Sequence, residues 1–178
     1  MRTLTLFRHA KSSWVPAARG APPLPDKARP LAPRGVRDAP RMAAWMLVNK
    51  IAPDLVLCSS AVRTQQTLDL VRAALGTAGR DAQIRDDLYL AEPDHLIETL
   101  CATPAAVAHV MLFGHDPGFH DLANLLVGAG PAELRTLLAT KFPTAGAAVI
   151  DFTFAHWRSL RPATGTLRHF MGPKRLAT

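Results

Sequence analysis

The sequence predicts an α/β fold: three α/β/α layers in which helices cover both faces of a mainly parallel sheet. Short apolar runs alternate along the chain with segments whose apolar residues recur at helical intervals, which is the pattern of repeated strand–helix units. Two of these runs are almost wholly apolar, as is typical of strands buried on both faces. The chain has 178 residues, of which 48% are hydrophobic. This is enough for one sizeable core, so we expect a single domain over residues 1–178.

Six segments of the chain are predicted strands. The first alternates between polar and apolar residues and stops at Arg8 and His9. Two almost wholly apolar runs give the clearest buried strands, and the weaker signals come from shorter segments. The predicted strands span 3–7, 54–58, 107–113 and 147–154, with weaker ones at 83–85 and 167–171.

Helices are predicted where apolar residues recur at helical spacing after a turn signal. These segments begin near Asp38, after Ser59, at Pro93 and after Gly118. Asp38 is the expected N-cap of the first helix, with the following proline in its first turn or at a kink. Before that helix, residues 12–33 are rich in Pro, Ala, Gly and Arg without an apolar period, which predicts a long surface loop.

The charge balance favours an anionic partner, because 21 Lys and Arg face 14 Asp and Glu, a formal net charge of +7. The arginines look scattered and lack interleaved aromatic residues, so nucleic acid is not an expected partner. No apolar run approaches the ~20 residues of a membrane helix, and Arg8 and His9 come too early for a signal peptide. We therefore expect a cytoplasmic protein without a membrane partner.

Metal and cofactor sites are not indicated. Cys58 and Cys101 have no paired spacing, which argues against a disulfide framework or a cysteine-rich zinc site. The histidines likewise show no metal-ligand spacing with acids. The expected chemistry is therefore that of the side chains alone.

Residues suited to binding an oxyanion follow three of the predicted strands. Arg8 and His9 end the first strand, Ser59 and Arg63 follow the second, and His115 follows the third. The carboxyl ends of neighbouring parallel strands lie at one edge of a sheet, where loops lead into helix N-termini. We therefore expect these residues to form a cationic cavity for an oxyanion of the phosphate type.

An ordered series of motifs coincides with these strand ends. In chain order they are LFRHAKSSW at 6–14, RPL at 29–31, RG and DAPRM within 34–42, CSSAVRT at 58–64 and GHDPG at 114–118. Together they resemble the histidine phosphatase superfamily, and within it the small phosphohistidine phosphatases similar to SixA. The resemblance spans nearly the whole chain and implies a phosphoglycerate-mutase-like fold.

This resemblance implies a phosphatase that forms a phosphohistidine on the enzyme. His9 is the implied nucleophile, and Arg8, Arg63 and His115 are the implied ligands of the phosphoryl oxygens. Ser12 is expected to add a hydroxyl to the same network. For attack, one ring nitrogen of His9 must stay unprotonated, so we expect the other to donate to a backbone carbonyl.

The general acid stays open at this point: Glu92 is the implied candidate, and Asp26, Asp94 and Asp116 are alternatives. The sequence gives only weak evidence for a general acid. This favours a substrate with a P–N bond, because the histidine of phosphohistidine can leave as neutral imidazole. The expected partner is a phosphorylated protein, a histidine-phosphotransfer domain being one such protein. A small phosphate compound is the alternative substrate.

A cysteine-dependent phosphatase is a rival interpretation that involves Cys58. Its spacing to Arg63 is one residue shorter than a phosphate-wrapping cysteine loop needs. Cys58 also closes an apolar strand, which raises the pKa of a thiol and makes it unreactive. We therefore expect Cys58 to be a packing residue.

Overall fold

A single seven-stranded sheet organises the computed structural model, which describes residues 1–15 and 22–176. The part of the predicted surface loop at 16–21 lies outside these residues. All six predicted strand segments form strands, and a short seventh was not predicted. The strands are β1 (Arg2–Arg8), β2 (Leu55–Ser59), β3 (Gln83–Arg85), β4 (His109–Gly114), β5 (Val127–Ala129), β6 (Ala147–Phe152) and β7 (Gly165–Met171).

The sheet is mixed, and its parallel half carries the strand ends of interest. The strand order is β3-β2-β4-β1-β6-β7-β5. β3, β2, β4 and β1 are parallel to one another, β6 is antiparallel to β1 and to β7, and β5 is parallel to β7. In this register Arg8 lies opposite Gly114, and Cys58 lies opposite Phe113. The carboxyl ends of β1, β2 and β4 therefore lie level at one edge.

Helices cover both faces of the sheet. One buried apolar cluster packs the helices over Pro93–Cys101, Gly118–Leu126 and Ala132–Thr140 against one face, and a second packs those over Pro33–Val48 and Val62–Val71 against the other. This arrangement confirms the predicted α/β fold in three layers. Within the described residues the α-helices are α1 (Pro33–Val48), α2 (Val62–Val71), α3 (Gly76–Arg80), α4 (Pro93–Cys101), α5 (Gly118–Leu126) and α6 (Ala132–Thr140). None of these helices combines the length and the apolar character required to cross a bilayer.

Helix α1 begins earlier than the sequence predicts. Ala32 is its N-cap and Pro33 its first residue, where the missing N–H of proline is harmless and its fixed φ suits the helix. Asp38 and Pro40 both lie inside the helix beyond its first turn, so the prediction that Asp38 caps it is wrong. The Asp38 carboxylate instead lies 3.6 Å from Nε of Arg34.

The start of α1 is fixed against the loop that follows β1. The amide of Ala32 donates to the carbonyl of Lys11 over 2.8 Å. A Cβ on Gly35 would lie 2.3 Å from that same carbonyl oxygen, so only glycine permits this approach. The helix thereby holds the backbone beside His9 in place. The amide of His9 itself donates to the carbonyl of Gly114, and its carbonyl accepts from the amide of Ala145.

Candidate active site

His9 follows β1 directly and presents one unprotonated ring nitrogen. Its Nδ1 lies 2.8 Å from the backbone carbonyl of Ala10. Because a carbonyl only accepts, Nδ1 carries the proton and Nε2 keeps its lone pair. Nε of Arg63 donates towards that Nε2 over 3.4 Å. The tautomer expected from the sequence is therefore the one that this geometry requires.

His9 is held in its neutral form. The residue is 8% exposed. Burial lowers the pKa of His9 to about 3, the hydrogen bond to Ala10 opposes this, and the charges of Arg63 and Arg8 lower it further. At neutral pH the imidazole therefore offers an electron pair rather than a positive charge.

Arg63 lies in the first turn of α2 and is 3% exposed. Its two terminal nitrogens both bond to Asp26: Nη1 donates to the backbone carbonyl over 2.6 Å, and Nη2 donates to the carboxylate over 2.9 Å. Nη2 also lies 3.4 Å from Nδ1 of His115. Asp26 thus holds the guanidinium group of Arg63 on one side, and the group is directed towards His9 and His115 on the other.

His115 follows β4 and lies beside His9, with 5.3 Å between the ring centroids. Its Nε2 lies 2.7 Å from Oγ of Ser59, the last residue of β2, and both residues are buried. Burial lowers the pKa of His115 to about 3; the interaction with His9, which acts when that ring is protonated, and the charge of Arg63 lower the pKa further. The ends of β1, β2 and β4 therefore bring together the residues that the sequence singles out.

Arg8, the last residue of β1, completes the cationic cluster. Its Nη1 donates to the backbone carbonyl of Phe142 and lies 3.5 Å from a carboxylate oxygen of Asp116. Burial lowers the pKa of Arg8, while Asp116 raises it. Its Nε is buried without a hydrogen-bond partner in the described part of the chain. A buried donor of this kind gains free energy when an anion accepts from it.

Asp26 joins the cluster from the loop before α1. Besides Arg63, its carboxylate accepts from the hydroxyl of Tyr89 over 2.7 Å and from Nη1 of Arg29 over 2.7 Å. Burial alone would raise the pKa of Asp26, but the hydrogen bonds from Tyr89, Arg63 and Arg29 together lower it to about 2. The sequence indicates Asp26 only as an alternative acid, and no sequence signal points to Tyr89.

Ser12 is connected to the cluster through an intermediate residue. Its Oγ accepts from Nη2 of Arg29 over 2.6 Å, and the same guanidinium bonds to Asp26. Arg29 is stacked on the ring of Trp14, with Cζ 3.2 Å from the ring centroid. The Ser12 hydroxyl therefore supports the loop that carries Asp26, and its role in substrate binding stays a prediction.

Glu92 lies apart from these contacts. It is exposed and precedes the first residue of α4. Over residues 1–15 and 22–176, no hydrogen bond or ion pair joins its side chain to Arg8, His9, Arg63 or His115. The structure does not bring Glu92 into the cluster, so its role as general acid stays a prediction.

Cys58 is buried in the core on the α1 and α2 side of the sheet. Burial raises the pKa of its thiol to about 12. Its Sγ donates to the backbone carbonyl of Ser59 over 3.3 Å. A thiol in this state is not a nucleophile at neutral pH.

Comparisons with known proteins agree with this geometry. The family model for the histidine phosphatase superfamily (branch 1) matches residues 4–93. An uncharacterised protein of Mycobacterium leprae is 35% identical over 172 residues, which cover 94% of this chain and 100% of the relative.

Two solved structures extend the likeness over the whole fold. A candidate phosphohistidine phosphatase SixA from Nakamurella multipartitia has a TM-score of 0.77 and 32% identity, with coverage of 97% of this chain and 96% of that chain. The protein histidine phosphatase SixA complexed with tungstate has a TM-score of 0.75 and 25% identity, with coverage of 98% and 99%. The chain therefore belongs to the histidine phosphatase superfamily, where its structural neighbours are SixA phosphohistidine phosphatases.

Proposed function

We propose that this protein is a phosphatase that transfers a phosphoryl group first to His9 and then to water, with phosphohistidine on a protein as its substrate. The observation that carries the proposal is the unprotonated Nε2 of His9, fixed by the bond from Nδ1 to Ala10 and directed at Arg63. A neutral imidazole attacks phosphorus with its own electron pair and needs no separate base. We further propose that residues 1–178 act as one domain, which the single sheet supports.

In the first step, Nε2 of His9 forms a bond to phosphorus while the bond from phosphorus to the substrate imidazole breaks. The departing imidazole takes the bonding electron pair and leaves as a neutral ring, because its other ring nitrogen carries a proton taken up from solvent. Negative charge spreads over the three nonbridging oxygens in the transition state, where fixed donors are most effective. Arg8, Arg63 and His115 are the proposed donors. Two observations support the arginines in this role: Nε of Arg8 is buried without a partner in the described residues, and Nε of Arg63 is directed at Nε2 of His9.

In the second step, a water oxygen bonds to phosphorus and the bond from phosphorus to Nε2 breaks. Inorganic phosphate leaves, and the water proton goes to the phosphate or to solvent. The proton stays on Nδ1, hydrogen-bonded to the Ala10 carbonyl, through both steps, so the unprotonated nitrogen is restored at Nε2. The same three donors serve the second transition state.

The electrostatics of the cluster favour phosphohistidine over an alkyl phosphate. Release of an alkoxide needs a protonated acid, whereas imidazole departs with little assistance. Asp26 is ionised because its pKa is about 2, and Asp116 pairs with Arg8. The SixA structures, similar over nearly the whole chain, support the same substrate class. A histidine-phosphotransfer domain is a suitable partner.

A comparison of substrates tests the proposal. We expect release of phosphate from a phosphohistidine peptide with kcat/KM at least about a hundredfold above that for a sugar phosphate, since only the sugar phosphate requires an acid. A higher kcat/KM for the sugar phosphate would favour the alternative function, a small-molecule phosphomonoesterase.

A further inference from the structure

A cavity lies at the same edge of the sheet as the candidate active site, next to the segments that precede β6 and follow β7. It is an open cavity of about 660 Å³, and Arg8 lines it as well as the candidate active site. One wall is the face of α1 that carries Arg34, Arg37 and Arg41. The rest of the lining comes mainly from the segments after α6 and β7, including Lys141 and Lys174. We call this the basic cavity.

The basic cavity concentrates the positive charge of the protein. Eight Lys and Arg side chains and one acidic side chain, Asp38, line it, a net charge of +7. The formal net charge of the whole chain is also +7, so all other charged side chains cancel. The interpretation of the arginines as scattered is therefore wrong, because residues distant in sequence converge here.

Apart from the ion pairs of Arg8 with Asp116 and of Arg175 with Glu133, the charges in the cavity are poorly compensated. Asp38 is shared by three guanidinium groups, with nitrogen–oxygen distances of 3.6 Å to Arg34, 3.7 Å to Arg37 and 3.9 Å to Arg41. Lys141 and Lys174 form no ion pair with any residue that the structure describes. Such a surface raises the local concentration of anions and favours an acidic occupant.

The spacing of the cations indicates the size of that occupant. Arg34, Arg37 and Arg41 share one side of α1, and at ~1.5 Å of rise per residue the row is about 10 Å long. This exceeds the dimensions of a single phosphate and matches a row of carboxylates on a protein surface. Because Arg8 borders both regions, an occupant of the cavity lies next to the phosphoryl group.

We propose that the basic cavity docks acidic side chains that flank the phosphohistidine of the protein substrate. This inference rests on the proposed function and adds a specificity-determining surface to it. Long-range attraction of this kind acts mainly on encounter and on KM, and it weakens as salt rises.

Two synthetic peptides test the proposal, each with one central phosphohistidine. In one peptide the flanking residues are glutamates, and in the other they are glutamines. For the parent protein at low salt we expect kcat/KM for the glutamate peptide to be about tenfold higher or more, with the difference in KM. The R34Q/R37Q/R41Q variant should reduce the ratio to about one and leave the glutamine peptide unchanged.

Two further variants complete the design. R80Q/R135Q/R158Q removes the same charge from exposed arginines outside the cavity and should keep the parent ratio. K141Q/K174Q removes two lysines that line the cavity outside α1, and it therefore tests the cavity independently of that helix. This variant should reduce the ratio. If the parent releases phosphate equally fast from both peptides, or the control reduces the ratio as much as the cavity variants do, the docking proposal is overturned.

Binding distinguishes failure of docking from failure of the proposed activity. Fluorescence anisotropy with the unphosphorylated glutamate peptide should show binding that R34Q/R37Q/R41Q loses, even if no peptide is hydrolysed. Stronger competition by tripolyphosphate or by a short single-stranded DNA than by the glutamate peptide would contradict the proposal. The cavity would then belong to a small polyanion or to nucleic acid.

Discussion

Asp26 bonds to both terminal nitrogens of Arg63, through its backbone carbonyl to Nη1 and through its carboxylate to Nη2. A loop residue outside the strand ends therefore sets the orientation of a guanidinium at the centre of the candidate site. With both outer nitrogens held, Nε is the atom directed at His9. The arrangement makes Asp26 a positioning residue that acts through Arg63.

Replacement of Asp26 tests this positioning role. We expect D26N to lower kcat/KM about tenfold to a hundredfold, because a misplaced guanidinium stabilises the transition state less well. Asp87 is a matched control, since its carboxylate is also paired, with Arg85 and His95, but outside the cluster. Steady-state kinetics of D26N and D87N make the comparison, and equal losses in both variants would contradict a specific role for Asp26.

Ser59 orients His115 through a buried hydrogen bond of 2.7 Å. We expect S59A to reduce kcat about tenfold with little change in KM, because the ring loses the contact that fixes its rotation. Ser60 is the control: its hydroxyl donates to Asp86 on the surface. S60A should keep the parent kcat, and a parent-like kcat in S59A would show that His115 needs no orienting partner.

The two buried histidines make stability depend on pH. Burial lowers the pKa of His9 and His115 to about 3, from 6.5. Between these pH values the unfolded chain binds more protons than the folded one. The contribution of these histidines to the free energy of unfolding is therefore fully present above pH 6.5 and falls as the pH drops towards 3. Each histidine contributes up to about 1.4 kcal/mol per pH unit in that window.

Denaturant unfolding of the parent and of H115Q between pH 7 and pH 4.5 measures this effect. The glutamine variant should show a shallower decline in the free energy of unfolding. Proton NMR should show no titration of either ring between pH 8 and pH 5. A titration midpoint near the ordinary histidine value for His9 would contradict the buried, neutral state.

Cys58 should be dispensable for catalysis. Its thiol has a pKa raised to about 12 and packs in the core. We expect C58A to keep kcat within about twofold of the parent and to lose about 1 kcal/mol of stability from the lost packing. Phosphatase assays and thermal unfolding check both statements. Loss of activity in a folded C58A would support the rival mechanism, in which Cys58 is the nucleophile.

The strands and three of the central residues were predictable because their signals are local. Apolar runs mark the strands; Arg8 is the last residue of β1, and His9 and His115 directly follow β1 and β4. Register then brings those ends level, as parallel pairing of β1 with β4 requires. The residues that the strand ends place in the site can therefore be predicted from the sequence.

Features made by long-range packing were not predictable in this way. Tyr89 and Asp26 are 63 residues apart, and their bond depends on the route of two loops. Asp38 carries an N-cap residue type, but Pro33 starts α1 earlier and Asp38 pairs with arginines instead. The basic cavity combines α1 with segments near the end of the chain, and no local pattern shows that they meet.

Direct detection of phosphate on the enzyme tests the central mechanism. The protein is mixed with a phosphohistidine peptide, quenched in alkali within milliseconds to preserve any P–N bond, and digested for mass spectrometry. We expect phosphate on His9 in the parent, and neither label nor turnover in a folded H9A. Phosphate on another residue, or normal turnover by H9A, would contradict the mechanism.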